Sequence, residues 1–167
     1  GTVLSGQTTD LGMIRLVEQV GEAEGLTDFS ALAAAIAQAG LNLTNRVPFQ
    51  KLFSKEPSGM KQERIDNLVK VIARSRQNYV DQLVNWFREV VSGDIDTILL
   101  AGGTATYLGS ELSGALQGEF PWVKVNWHGG LTVPSELVPE DTFGRFNDVY
   151  GEYLCLTNQV KEQAVIN

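Results

Sequence analysis

The spacing of apolar residues predicts a strand and then a helix in the first forty positions. After a short apolar stretch, Thr2–Ser5, residues Leu11–Val20 mix β-branched and apolar side chains, which favours a strand. Alanines with high helix propensity fill Phe29–Ala39, so we predict a helix there. Thr27-Asp28 can cap its beginning, and Gly40 can end it.

The longest periodic segment runs from about Met60 to Val91. Its apolar residues recur at three- and four-residue spacing, as in a helix with one buried stripe. The pattern predicts either one long helix or two helices with a kink near Ser75–Asn78. The preceding stretch, Leu41–Gly59, is irregular and includes Pro48 and Pro57, so we predict a boundary between subdomains there.

Short apolar segments alternate with helical ones in the remaining half. Asp96–Ala101 is nearly all apolar, which predicts a strand buried on both faces, as in a parallel sheet. A sharp turn follows, and then a helix from Thr104 to about Gln117. Pro121–Trp127 predicts another strand, and Glu140–Val160 a closing helix. This order predicts an α/β fold with right-handed crossovers and helices that cover a sheet.

Composition narrows the class of protein. The chain has 167 residues, 43% hydrophobic and 20% charged, which fits one globular domain and argues against disorder. Its apolar runs, such as Thr97–Ala101, are too short to cross a bilayer, and no secretory signal precedes the first periodic segment. The single cysteine, Cys155, excludes an internal disulfide framework and fits a reducing compartment. We therefore expect a cytoplasmic protein without a membrane partner.

The charge of the chain bears on nucleic-acid binding. A net charge of −7 disfavours it, because neutralising phosphates needs clustered Lys and Arg. Basic residues do concentrate in the first half, but acidic residues are interspersed among them, so we interpret them as a solvated helical face. They are Lys51, Lys55, Lys61, Arg64, Lys70, Arg74 and Arg76.

The turn at Gly102-Gly103-Thr104 is the most informative candidate site. Glycines at the end of a strand let a ligand approach the backbone without a Cβ in the way. The following helix presents free N–H groups and the positive end of its dipole. The alternative is a tight turn that needs glycine for its geometry alone.

Three stretches carry a resemblance to a known superfamily. The sequence I-L-L-A-G-G-T-A at Ile98–Ala105 resembles the adenosine motif of the actin, sugar-kinase and heat-shock-chaperone ATPases. Asp141–Tyr153 looks like the final helix of plasmid-segregation actin-like proteins. Leu4–Leu11 looks like the second phosphate-binding hairpin of the family. The three occur in the family's order and span almost the whole chain.

The resemblance implies a fold and a ligand. The fold would be an α/β actin-like ATPase (ribonuclease H-like) lobe with a mostly helical insertion. All of residues 1–167 would form one C-terminal lobe, with 1–40 and 85–167 as the sheet subdomain and 41–84 as the insertion. The ligand would be ATP (or GTP) with Mg²⁺. Gly102, Gly103 and Thr104 would bind the nucleoside, and Gly6, Gln7 and Thr8 the phosphates; no catalytic residue is assigned.

One departure from the family affects metal binding. The phosphate hairpin usually begins with an Asp that helps to hold magnesium, and Val3 occupies that position here, with Ser5 where glycine is usual. We therefore assign no metal ligand. The first phosphate hairpin of such ATPases does not precede Gly1, so we expect either a fragment or a chain that works with a separate N-terminal lobe. Alone, the chain is expected not to hydrolyse ATP.

The family also suggests partners. The parent would be a filament-forming ATPase of the plasmid-segregation type, with a DNA-bound adaptor as a further partner. The alternatives are a lobe of a sugar or metabolite kinase and a non-catalytic interaction module. The insertion contains large apolar residues that either pack under the long helix or form an exposed patch for self-association, namely Val47-Pro48-Phe49, Leu52 and Phe53.

The remaining candidates for chemistry favour structural roles. His128 is the only histidine and has no cysteine near it, so we interpret it as a loop residue. Cys155 lies among apolar and aromatic residues and is interpreted as a buried thiol. Three tryptophans are interpreted as core or interface anchors. They are Trp86, Trp122 and Trp127.

Overall fold

The computed structural model describes residues 9–127 together with Pro134, Glu136, Tyr153, Leu154 and Thr157. Its elements are α1 (Met13–Glu24), α2 (Phe29–Ala39), α3 (Val47–Leu52), α4 (Ser58–Val90), β1 (Thr97–Leu100), α5 (Gly103–Glu119) and β2 (Lys124–Trp127). The chain divides into two compact units, Gly1–Ser92 and Gly93–Asn167. This division falls just after α4, whereas the sequence predicted limits at 40/41 and 84/85.

The first element, α1, is a helix, so the strand predicted over Leu11–Val20 is wrong. The buried residues of α1 recur at helical spacing, and most of the other positions are polar, although Met13 and the exposed Ile14 are apolar. The buried set is Leu16, Val17, Val20 and Gly21. Apolar and β-branched content suggested a strand, but the period of burial is that of a helix, and the period is the stronger signal.

Gly21 lies inside α1 and does not end an element. It is buried, and a Cβ at this position would overlap with the ring of Phe29 at the start of α2. Helix α1 ends instead at Gly25, which has the left-handed conformation (φ 66°) common at helix C-termini. The missing side chain of Gly21 therefore lets α1 and α2 pack closely.

Helix α2 confirms its sequence prediction in bounds and in capping. The carboxylate of Asp28 accepts a hydrogen bond from the N–H of Ala31 at 2.9 Å. Gly40 caps the other end with a φ of 71°. Both ends of α2 are thus determined locally, by an acidic N-cap and a glycine stop.

Helix α4 is one uninterrupted helix of 33 residues, about 50 Å long. The single-helix alternative is confirmed, and there is no break near Ser75–Asn78. Helix α4 packs against α1 and, over a smaller contact, against α3. Its buried stripe comprises Ile65, Leu68, Ile72, Ser75, Arg76, Tyr79, Val80, Leu83 and Val84.

Two of the basic residues assigned to a solvated face point inward from α4. Arg76 is buried and donates a hydrogen bond to the carbonyl of Leu41 at 2.7 Å. Arg64 is half-buried and donates to the carbonyl of Glu24, the last residue of α1, at 3.0 Å. The predicted solvated face is therefore wrong for these two arginines, because neighbouring helix ends offer carbonyl acceptors.

The irregular stretch before α4 contains helix α3, and its aromatic residues are buried. Phe49 is 0% exposed and Phe53 is 2% exposed, whereas Val47 is 63% exposed. The guanidinium carbon of Arg64 lies 5.0 Å from the centre of the Phe53 ring, a cation–π contact. Packing in the core is confirmed for both phenylalanines, and an exposed association patch built from them is wrong.

The second unit contains two parallel strands joined through α5. Ile98 on β1 lies opposite Val125 on β2 in the register. The parallel order is as predicted, but burial on both faces is wrong: Ile98 and Leu100 are buried, whereas Leu99 is 59% exposed. Helix α5 is kinked at Gly109, which has non-helical angles (φ 3°, ψ −88°), and it packs against β2.

The end of the chain is described at few positions. Tyr153, Leu154 and Thr157 are helical, and the rest of the predicted helix Glu140–Val160 lies outside the described residues. No helix in the described part of the chain is both long enough and apolar enough to span a membrane.

Burial of Phe49 leads to a prediction about stability. We expect Phe49→Asp to destabilise the fold by more than about 4 kcal/mol, because it removes a core ring and buries a carboxylate. The exposed Val47→Asp should change the free energy of unfolding by no more than about 0.5 kcal/mol. Urea denaturation of both variants measures the difference. Equal midpoints for the two variants would contradict the burial described here.

The buried hydroxyl of Tyr79 leads us to predict that the stability of the fold decreases at alkaline pH. Its hydroxyl donates to the carbonyl of Leu11 at 2.7 Å, and burial raises its pKa from 10 to about 12. Below pH 10 the phenol is neutral in both states, so its contribution is fully present. Between pH 10 and 12 the unfolded chain ionises first, and the contribution is lost.

The variant Tyr79→Phe isolates this effect. At pH 8 we expect it to be less stable than the parent by about 1 kcal/mol, the loss of one hydrogen bond. At pH 11 the gap between the two proteins should shrink, since only the parent has a Tyr79 to ionise. Denaturation curves at both pH values provide the measurement, and a gap independent of pH would argue against the raised pKa.

Candidate functional site

The candidate site lies where β1 leads into α5. Strand β1 ends at Leu100, and α5 begins at Gly103 with Gly102 as its N-cap. Because β2 runs parallel to β1, this turn lies at the carboxyl edge of the strand pair. Ligands of open α/β sheets bind at such edges.

Gly102 is required by its backbone conformation. Its φ of 88° and ψ of 170° fall in a region that is essentially restricted to glycine. A Cβ placed there would meet no atom within 4 Å, so the requirement is conformational and not steric. The N–H and the hydroxyl of Thr106 both donate to the Gly102 carbonyl, at 3.0 and 3.1 Å, and hold the turn in place.

Gly103 has no such requirement. It is the first residue of α5 and is not among the glycines with positive φ. The backbone conformation of the turn therefore requires glycine at Gly102 but not at Gly103. Gly103 and Thr104 are both half-buried, so neither is sealed in the core.

The N-terminus of α5 can interact with polar or anionic groups. The N-cap is a glycine, so no N-cap side chain accepts from the N–H groups of the first turn. The first turn of a helix also carries the positive end of the helix dipole. The turn thus combines a backbone without bulky side chains and directed N–H donors.

The second group of candidate residues, Gly6, Gln7 and Thr8, lies outside the described residues, as do Val3 and Ser5. The hairpin interpretation needs a strand after these residues, and α1 occupies that part of the chain. Of the predicted site residues, the structure therefore describes Gly102, Gly103 and Thr104.

No group of three or more His, Cys, Asp or Glu residues is arranged to hold a metal ion in the part of the chain that the structure describes. His128 and Cys155 lie outside that part. Of the three tryptophans interpreted as anchors, Trp122 is 56% exposed, so a core role is wrong for it.

The sequence analysis did not identify a groove in the first unit. It has a volume of about 650 Å³ and lies between α2 and α3. Ala31, Ala34, Ala35 and Gln38 line one wall at helical spacing, and Pro48 and Leu52 belong to the other. The alanines that recur along α2 could have indicated this groove, but in the sequence they were interpreted only as residues with high helix propensity.

Comparisons with protein-family models, with curated proteins and with solved structures found no match. The resemblance to actin-like ATPases therefore depends on the sequence motifs alone.

The contrast between two glycines of the second unit can be tested. Gly102→Ala should destabilise the chain by about 1–3 kcal/mol, because alanine is strained at this φ and ψ. Gly114→Ala, at an exposed helical position with open space around it, should stabilise by about 0.5–1 kcal/mol. Thermal unfolding followed by circular dichroism compares them. A neutral Gly102→Ala would mean that the turn can relax into an ordinary conformation.

Proposed function

We propose that the Gly102-Gly103-Thr104 turn binds the nucleoside part of ATP (or GTP), and that the chain is the nucleotide-binding lobe of an actin-like ATPase. The observation that carries the proposal is Gly103. A turn that needed glycine only for its backbone would need Gly102 alone. A flat ring lying against the backbone would need the second position to lack a side chain as well.

The residues of the turn would have distinct roles. The backbone at Gly102 and Gly103 would form the surface on which the base and ribose lie. The N–H groups at the start of α5, including that of Thr104, would donate to polar atoms of the nucleoside. A Cβ built on Gly102 would meet no atom within 4 Å, so no neighbouring residue crowds the backbone there.

The phosphates and their Mg²⁺ would be bound away from this turn. The family resemblance assigns the phosphates to Gly6, Gln7 and Thr8, which lie outside the described residues. No metal ligand is assigned to this chain. Bound Mg²⁺ would neutralise phosphate charge, and the residues that position an attacking water would come from an N-terminal lobe.

The parent protein would act in the cytoplasm as a filament-forming ATPase of the plasmid-segregation type. It would self-associate with the help of its N-terminal lobe and would engage a DNA-bound adaptor. Because phosphoryl transfer requires preorganised groups from both lobes, the 167-residue chain alone should show no turnover.

The variant Gly103→Val tests the proposed nucleoside site. A β-branched side chain would occupy the space that the ring needs, so we expect nucleotide affinity to fall at least about tenfold. Titration calorimetry with ATP and with GTP measures the affinity, and the same solutions can be assayed for phosphate release.

The matched control is Gly114→Val, which places the same side chain on an exposed position of the same helix. It should bind nucleotide like the parent. Equal affinities for a folded Gly103→Val variant and the control would refute the site. No binding of either nucleotide by the parent chain would favour a non-catalytic interaction module, and binding enhanced by a sugar would favour the metabolite-kinase alternative.

A further inference from the structure

Helix α5 contains four glycines, and one of them interrupts the helix. Gly109 has non-helical angles, whereas Gly103, Gly114 and Gly118 continue the helix. The presence of glycine alone therefore does not cause the break. Gly109 is followed by Ser110, and Gly/Ser pairs are among the few places where helices kink sharply.

The two parts of α5 are buried in different ways. Tyr107, Gly114 and Gly118 would lie on one face of a straight helix, because their separations are close to whole numbers of turns. Tyr107 is 6% exposed, whereas both glycines are exposed. The part before the break is thus enclosed on a face that the part after it leaves open.

The part before the break, residues 103–108, is joined to the turn at Gly102. The N–H and the hydroxyl of Thr106 both donate to the carbonyl of Gly102, at 3.0 and 3.1 Å. These two bonds attach the first turns of α5 to its N-cap. The direction of this part therefore determines where the N–H groups of the first turn point.

The part after the break, residues 110–119, is joined to β2. The N–H of Phe120 donates to the carbonyl of Leu116 at 2.8 Å, and the N–H of Val123 donates to the carbonyl of Phe120 at 3.0 Å. Phe120 and Val123 are buried, so this short link is packed in the core. Gly109 thus separates a part held by the turn from a part held by the link to β2.

We propose that Gly109 is a positioning residue, which sets the direction of the first turns of α5 and so aims their N–H groups at the bound nucleoside. Without the break, the first part would have to follow the axis of the part that leads into β2. A Cβ at Gly109 would meet no atom within 4 Å, so alanine would act there through the backbone and not through a clash. The role toward a ligand rests on the proposed nucleoside site, whereas the direction of the helix does not.

Residual dipolar couplings on the full 167-residue chain measure the directions of the two parts. In the parent, we expect the N–H vectors of residues 104–108 and 111–118 to fit axes that differ by more than about 20°, the size of a sharp kink. Alanine has the highest helix propensity of all residues. In Gly109→Ala we therefore expect both sets of vectors to fit one axis.

Nucleotide affinity is the second readout. Gly109→Ala should lower the affinity for ATP and for GTP at least about fivefold in titration calorimetry, because the N–H groups would no longer point at the nucleoside. Its urea midpoint should not fall below that of the parent, since the substitution removes a glycine from inside a helix. Weaker binding without lower stability is a combination that a purely structural role of Gly109 would not produce.

The matched control is Gly114→Ala, the same substitution at an exposed position of the same helix. Its nucleotide affinity and its two axes should match those of the parent. If Gly109→Ala does not fold, Gly109→Ser, which favours helical angles less strongly than alanine, takes its place in both measurements.

Three results would overturn the proposal. The first is a parent chain in which both sets of vectors fit one axis. The second is a folded Gly109→Ala variant that keeps two axes. The third is a straightened variant that binds nucleotide as tightly as the parent.

Failure of the proposed function has a different signature. A parent chain that binds neither nucleotide would refute the nucleoside site. Two axes in the parent that become one in Gly109→Ala would still support the role of Gly109 in directing the turn.

Discussion

The buried stripe of α4 is the feature on which the rest of the first unit depends. Helix α4 has 33 residues and an apolar stripe, and most of the stability of a helix in a protein comes from packing such a face away from solvent. Helices α1 and α3 pack against α4, and α2 in turn packs against α1 and α3. The long helix therefore determines where three shorter helices can lie, which none of their own sequences would specify.

Polar side chains of α4 then fix the ends of those shorter helices. Tyr79 donates to the carbonyl just before α1 at Leu11, and Arg64 to the carbonyl of the last residue of α1. Arg76 donates to Leu41, just beyond the glycine that ends α2. None of these carbonyls has a partner within a helix, because Glu24 ends α1 and both Leu11 and Leu41 lie outside the helices, and a buried carbonyl left unpaired would be costly. Helix α4 thus supplies both the apolar surface against which α1 and α3 pack and the side chains that hydrogen-bond to carbonyls near the ends of α1 and α2.

Features of the fold that depend on residues close together in the sequence could be predicted from the sequence. The cap at Asp28, the stop at Gly40 and the long period of α4 each depend on neighbouring residues, and each prediction is confirmed. The strand predicted for α1 failed because apolar content was given more weight than spacing. Burial of Phe49 and Phe53 could not be decided from sequence, since it depends on α2 and α4 lying nearby. At the candidate site, Gly102 and Gly103 could be found from sequence, but only their backbone angles distinguish the two.

The distribution of charge bears on which part of a nucleotide the β1–α5 turn would accept. Residues 93–167 contain ten acidic and three basic side chains, whereas residues 1–92 contain ten of each. The whole net charge of −7 therefore belongs to the unit that contains the turn. A triphosphate in that field would be repelled unless cations screened it. A base and ribose are neutral and would feel no such repulsion. An acidic unit with two glycines at a helix N-terminus is therefore better suited to the nucleoside than to the phosphates, and the phosphates would require donors and Mg²⁺ at some distance from the turn.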